Sequence, residues 1–72
     1  MQRDLIRLLE RAAAIRWAAA EYKYNNYRQH CRSLAVIDPE GLRYLRLLRE
    51  ERDSACNRKL RWACYRYIAD AG

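Results

Sequence analysis

Seventy-two residues carrying fifteen basic and nine acidic side chains, with a formal net charge of +6, make one domain at most, spanning 1–72. Hydrophobic residues are 51% of the chain, yet many are alanines, so a chain this short buries a low fraction of its surface and needs a disulfide, a metal or a partner subunit to hold it. A single histidine, no glycine-rich phosphate loop and no paired carboxylates on an apolar face argue against an enzyme, and no apolar run approaches the roughly 20 residues a membrane helix needs.

Residues 2–36 contain neither proline nor glycine and are rich in alanine, leucine, arginine and glutamate, which predicts a first helix. Apolar side chains recur on it at helical spacing in two adjoining stripes. One is Leu5, Leu8, Ala12, Ile15, Ala19 and Tyr22. The other runs from Ile6 and Leu9 through Ala13, Trp17, Ala20, Tyr24 and Tyr27 to Cys31 and Leu34. Together they form a face wider than one neighbouring helix can cover.

The only proline arrives in Ile37-Asp38-Pro39-Glu40-Gly41-Leu42, which reads as a helix start. Asp38 is placed to cap free N–H groups, and Pro39 suits the first helical position because its missing donor would be unpaired there anyway. Ile37 and Leu42 have the spacing of a hydrophobic staple, and proline disfavours helical geometry in Asp38, so the first helix must stop before it.

Residues 39–70 predict a second helix, with Leu42, Leu45 and Leu48 followed by Ala55, Cys56, Leu60, Ala63, Cys64, Tyr67 and Ile68 as its apolar positions. Two long helices joined by a short turn lie antiparallel. Pairing outward from the turn sets Trp17 near Lys59, Ala13 near Ala63 and Leu9 near Tyr67. The expected fold is therefore an all-α, two-helix hairpin that dimerises into a four-helix bundle. Leu5, Leu9, Ala12, Ala13, Ile15, Leu45, Leu48 and Leu60 are its expected dimer core. The competing fold breaks the first helix at Asn25-Asn26 and gives a three-helix bundle monomer.

Both helices turn polar at one height, at Asn25-Asn26 and at Arg49-Glu50-Glu51-Arg52-Asp53-Ser54. This reads as a solvated surface with i,i+4 ion pairs, Arg46 with Glu50 and Arg49 with Asp53. The alternative is a buried polar layer around Asn26 that sets register.

Three cysteines are an odd count, and Cys56 and Cys64 stand about 12 Å apart along one helix, beyond disulfide reach. Cys31, Cys56 and Cys64 are read as free, buried, apolar residues of a reducing, cytoplasmic compartment. His30 and Cys31 diverge on a helix and have no CxxC or HxxxH companion, so neither a metal nor a cofactor is expected.

Of the basic residues only Lys23 and Lys59 are lysine. Arg3, Arg7 and Arg11 form an i,i+4 row, and Arg58, Arg61 and Arg66 return to the same open end of the hairpin. With Trp17, Trp62 and Tyr65 they are the expected partner-binding residues, since arginine, tryptophan and tyrosine are the types enriched at binding hot spots. A packing role between the helices is the plainer reading of both tryptophans.

The leading functional expectation is a small non-enzymatic regulatory or inhibitory protein, of the kind phages and other mobile elements encode. It would act as a homodimer that binds an acidic protein partner, away from membranes. The second is a basic nucleic-acid binder of RNA or DNA backbone, whose expected architecture is similar in shape alone to small plasmid RNA-binding hairpins. The third is a self-assembling structural subunit.

Overall fold

The computed structural model describes residues 3–34, 36 and 38–71. It is all-helical: α1 runs Arg3–Ser33 and α2 runs Pro39–Ala71, packed against each other as a hairpin. The principal extents are 55 × 14 × 14 Å and the radius of gyration is 16.2 Å, against roughly 11 Å for a compact domain of this length.

α1 ends three residues short of the expected 36. The Ser33 hydroxyl donates to the His30 carbonyl at 2.7 Å, and the Leu34 amide reaches the Cys31 carbonyl at 3.3 Å. Two of the carbonyls left open at the helix end are thereby satisfied. The start of α2 follows the expected capping. The Gly41 amide donates to Asp38 Oδ1 at 2.6 Å and the Leu42 amide to the Asp38 carbonyl at 3.2 Å. Ile37, the other half of the expected staple, lies outside the described residues, and Leu42 is exposed. Asp38→Ala is expected to remove about 1 kcal/mol of stability, read as a lower urea midpoint with unchanged slope.

α1 continues unbroken through Asn25 and Asn26, so the three-helix alternative is set aside, and both asparagines are exposed on the single hairpin. The asparagines cost only a few tenths of a kcal/mol each in helix propensity. That is less than the packing of their neighbours Tyr24 and Tyr27 against α2.

The inward face of α1 carries Ile6, Ala13, Ala20, Tyr24 and Cys31 buried, with Glu10, Trp17 and Tyr27 half-buried between them. On α2 the matching positions are Leu45, Leu48, Arg52, Ala55, Lys59, Trp62, Arg66 and Ala69, of which Leu48 is the one buried. Both sets advance in alternating steps of three and four, the spacing of a coiled-coil seam. The register is visible in side-chain contacts. Arg66 Nε lies 2.6 Å from Glu10 Oε2, Lys59 Nζ 4.1 Å over the Trp17 ring, and Arg52 Cζ 4.3 Å over the Tyr24 ring. Each partner moves by seven residues from one contact to the next.

Three residues expected in a dimer core, Ala13, Leu45 and Leu48, are thus engaged within one chain. Nor do the expected helix-internal ion pairs form. Asp53 is held at 3.1 Å by Arg52, not by Arg49, and no pair joins Arg46 to Glu50 among the described residues. Arg52 is drawn to the seam by the Tyr24 face, which places its guanidinium beside Asp53. The three sulfurs are unbridged. Cys31 is buried as expected, Cys56 is half-buried, and Cys64 is exposed because α2 turns it away from the seam.

Near the turn, the Tyr27 and Tyr44 rings meet edge to face at 4.7 Å. Desolvation first, and then Cys31, raises the Tyr27 phenol above its ordinary 10.0. The folded state therefore favours the neutral phenol. Its contribution is complete below pH 10 and is lost as pH rises through the folded value. Melting temperature should fall more steeply above pH 10 in the native chain than in Tyr27→Phe.

Candidate partner-binding surfaces

Two surfaces carry the residues that chemistry would use, one outside the seam and one along its flank. The first is the outer stripe of α1. Leu5, Leu8, Ile15 and Tyr22 point away from α2 and are 46%, 62%, 63% and 70% exposed, with Ala12 and Ala19 exposed between them. Their steps of three and four repeat the seam pattern on the opposite side of the helix. On α2, Leu60, Cys64, Tyr67 and Ile68 form a separate apolar hollow near the open end.

The second surface is a valley between the helices. At the open end Ile6, Arg61, Trp62, Tyr65, Ile68 and Ala69 enclose a hollow of about 560 Å³. Leu9, Ala12, Ala13, Arg16, Arg58 and Trp62 continue it toward the middle. Arg16, Ala20, Lys23, Glu51, Ala55 and Arg58 line a third stretch of about 470 Å³. Trp62 belongs to the first two stretches, and Arg16 and Arg58 to the last two, so the three form one valley on one side of the hairpin. Trp62 and Tyr65 meet edge to face at 5.4 Å and 66° in its wall.

The expected arginine cluster at the open end is divided by this geometry. Arg66 bridges Glu10 at 2.6 Å and Asp70 at 3.6 Å, and Arg7 reaches Asp70 at 3.7 Å. Arg66 is held within the chain by Glu10, whereas Arg7, its side chain 63% exposed, makes only the longer contact to Asp70. Arg3, Arg11, Arg58 and Arg61 have no carboxylate within 4 Å among the described residues. Arg11 lies with Asp4, Arg7 and Leu8 on the outside of α1, whereas Arg58 and Arg61 line the valley.

Trp17 and Trp62 are both half-buried in the seam, which is the plainer role expected of them, and only Trp62 also borders the valley. Of the expected dimer-core set, Leu5, Ala12, Ile15 and Leu60 are exposed and Leu9 is half-buried at the valley edge. Arg16 and Lys23 were not among the expected partner contacts. One heptad apart on α1, they complete the basic rim opposite Arg58.

Among the described residues no group of three histidine, cysteine, aspartate or glutamate side chains could hold a metal, and no helix is long and apolar enough to cross a membrane. No protein family, curated protein or solved structure matches the chain.

Proposed function

We propose that this chain is a small, non-enzymatic regulatory or inhibitory protein that works by protein–protein binding as a cytoplasmic homodimer. The observation that carries the reading is the outer stripe of α1, an exposed apolar heptad row with nothing against it among the described residues. Surface area supports it. The chain exposes 5975 Å², against roughly 4,700 Å² for a compact monomer of its mass. The excess is larger than the ~800 Å² each partner gives to a standard interface.

Two α1 stripes laid antiparallel are self-complementary, with Leu5 facing Tyr22 of the second copy and Ala12 facing Ile15, as a two-fold interface requires. Joining two hairpins this way gives a four-helix assembly in which Ala12 and Ala19 stand on the border between the interface and the valley of each copy. The test is solution mass by light scattering at low and physiological salt. Twice 8.7 kDa is expected at both, and a monomer at every concentration overturns the dimer.

A second reading is favoured by one observation, the line of Arg16, Lys23, Arg58 and Arg61 along the valley. A phosphate backbone could follow such a line. Binding of that kind weakens steeply between 50 and 200 mM salt, by factors set by the number of phosphates engaged. Co-purified nucleic acid that leaves as salt rises would place this reading first.

A further inference from the structure

We propose that the valley between α1 and α2 is a docking groove for an acidic amphipathic helix of a partner protein. The inference rests on the protein-binding reading above and names the partner's chemistry.

Three features of the groove point to this occupant. Its length is that of a helix. From Ile68 to Glu51 the α2 wall covers seventeen residue steps, about 26 Å at 1.5 Å per residue. Its floor suits helix packing, because Ala13, Ala20 and Ala55 hold no bulk and let a third backbone approach to the 8–10 Å of ordinary helix pairs. At its open end Ile6, Trp62, Ile68 and Ala69 offer an apolar seat.

The rim supplies the sign of the charge. Arg16 and Lys23 on α1 and Arg58 and Arg61 on α2 stand along the groove, opposed among its lining residues by Glu51 alone. Glutamates flanking an apolar stripe would meet those cations on both sides while the stripe covers the floor. Rim charges of this kind set approach rate and partner choice. A nucleic-acid backbone could use the cations but would leave the apolar floor bare.

The test is a nuclear magnetic resonance titration of the full chain at physiological salt, with solution mass measured on the same sample. The probe is an 18-residue peptide with leucines at heptad a and d positions and glutamates elsewhere. A peptide of equal composition with scattered leucines and a uridine 15-mer are the comparisons. The expected result is binding of the amphipathic peptide alone, with shifts at the Trp62 indole and along Ala12–Lys23 and Glu51–Ile68. R58E/R61E and, from the other wall, R16E/K23E should each weaken it tenfold or more. R3E/R11E makes the same charge change outside the groove and should alter it less than twofold.

Equal binding of the scattered peptide, or equal loss in R3E/R11E, would overturn the groove in favour of diffuse charge. Preferential binding of the uridine 15-mer on the same residues would make the ligand a phosphate backbone. Shifts confined to Leu5, Leu8 and Ile15 would mean the peptide occupies the proposed self-association stripe. A dimeric mass with no peptide binding sinks the groove alone. A monomeric mass with groove binding sinks the dimer alone.

Discussion

Leu8→Glu combined with Ile15→Glu is expected to convert the dimer to a monomer of 8.7 kDa while the helix signal in circular dichroism persists. Both side chains lie outside the seam, at 62% and 63% exposure, so the hairpin does not depend on them for its internal contacts. In the proposed antiparallel interface they contribute twice, once from each copy. Burial of a leucine or isoleucine side chain contributes about 1.5–3 kcal/mol, and four such losses remove ~6–12 kcal/mol from association. Few complexes of standard size survive that. Melting temperature should then lose its dependence on protein concentration, since mass action no longer stabilises the fold. An unchanged mass would assign the stripe a different role and turn attention to Leu60, Cys64 and Tyr67 on the other helix.

Leu48→Ala should have the largest effect on the hairpin itself. Among the described residues six side chains are buried, and only Ile6 and Leu48 are large aliphatics. Truncating a buried leucine costs about 2–5 kcal/mol through lost burial and the cavity left behind. In a chain this short each kcal/mol moves the midpoint by about 4–8 °C, so a fall of 10 °C or more is expected by calorimetry. Leu47→Ala, one residue away and 56% exposed, should shift it far less. Equal shifts from the two variants would mean that α2 is rotated about its axis relative to the arrangement described here.

The turn was the most legible part of the fold, because Asp38 and Pro39 act through local backbone chemistry that needs no tertiary contact to read. Helix continuity through Asn25 and Asn26 was legible for the same reason: without glycine or proline the propensity penalty stays small. Counting outward from the turn also placed Trp17 against Lys59. The α2 face of the seam was hidden. Apolar periodicity draws the eye to Leu60, Cys64 and Tyr67, whereas the inward positions are Arg52, Lys59, Trp62 and Arg66.

Cations there are unreadable from hydrophobic pattern alone, since their inward placement depends on Tyr24, Trp17 and Glu10 across the gap. The recoverable signal was the shared spacing, with Arg52, Lys59 and Arg66 seven apart and Tyr24, Trp17 and Glu10 seven apart in the opposite sense. The valley was missed for a related reason. It unites Arg16 and Lys23 with Arg58 only once the relative rotation of the two helices is known. The division of the arginine cluster depended likewise on which guanidiniums Glu10 and Asp70 would take.

The heptad spacing of the cross-helix contacts also makes the length of this rod modular. Excising Ala18–Tyr24 from one arm and Arg52–Arg58 from the other would bring Cys31 opposite Leu45 one step after the Trp17–Lys59 contact. Every surviving layer would keep its partner. Removing four residues from each arm instead would turn each inward face by about 40° and put the cation layers out of register. Rods of this construction keep their seam unchanged when they shorten or lengthen in units of two turns, a step of roughly 10 Å.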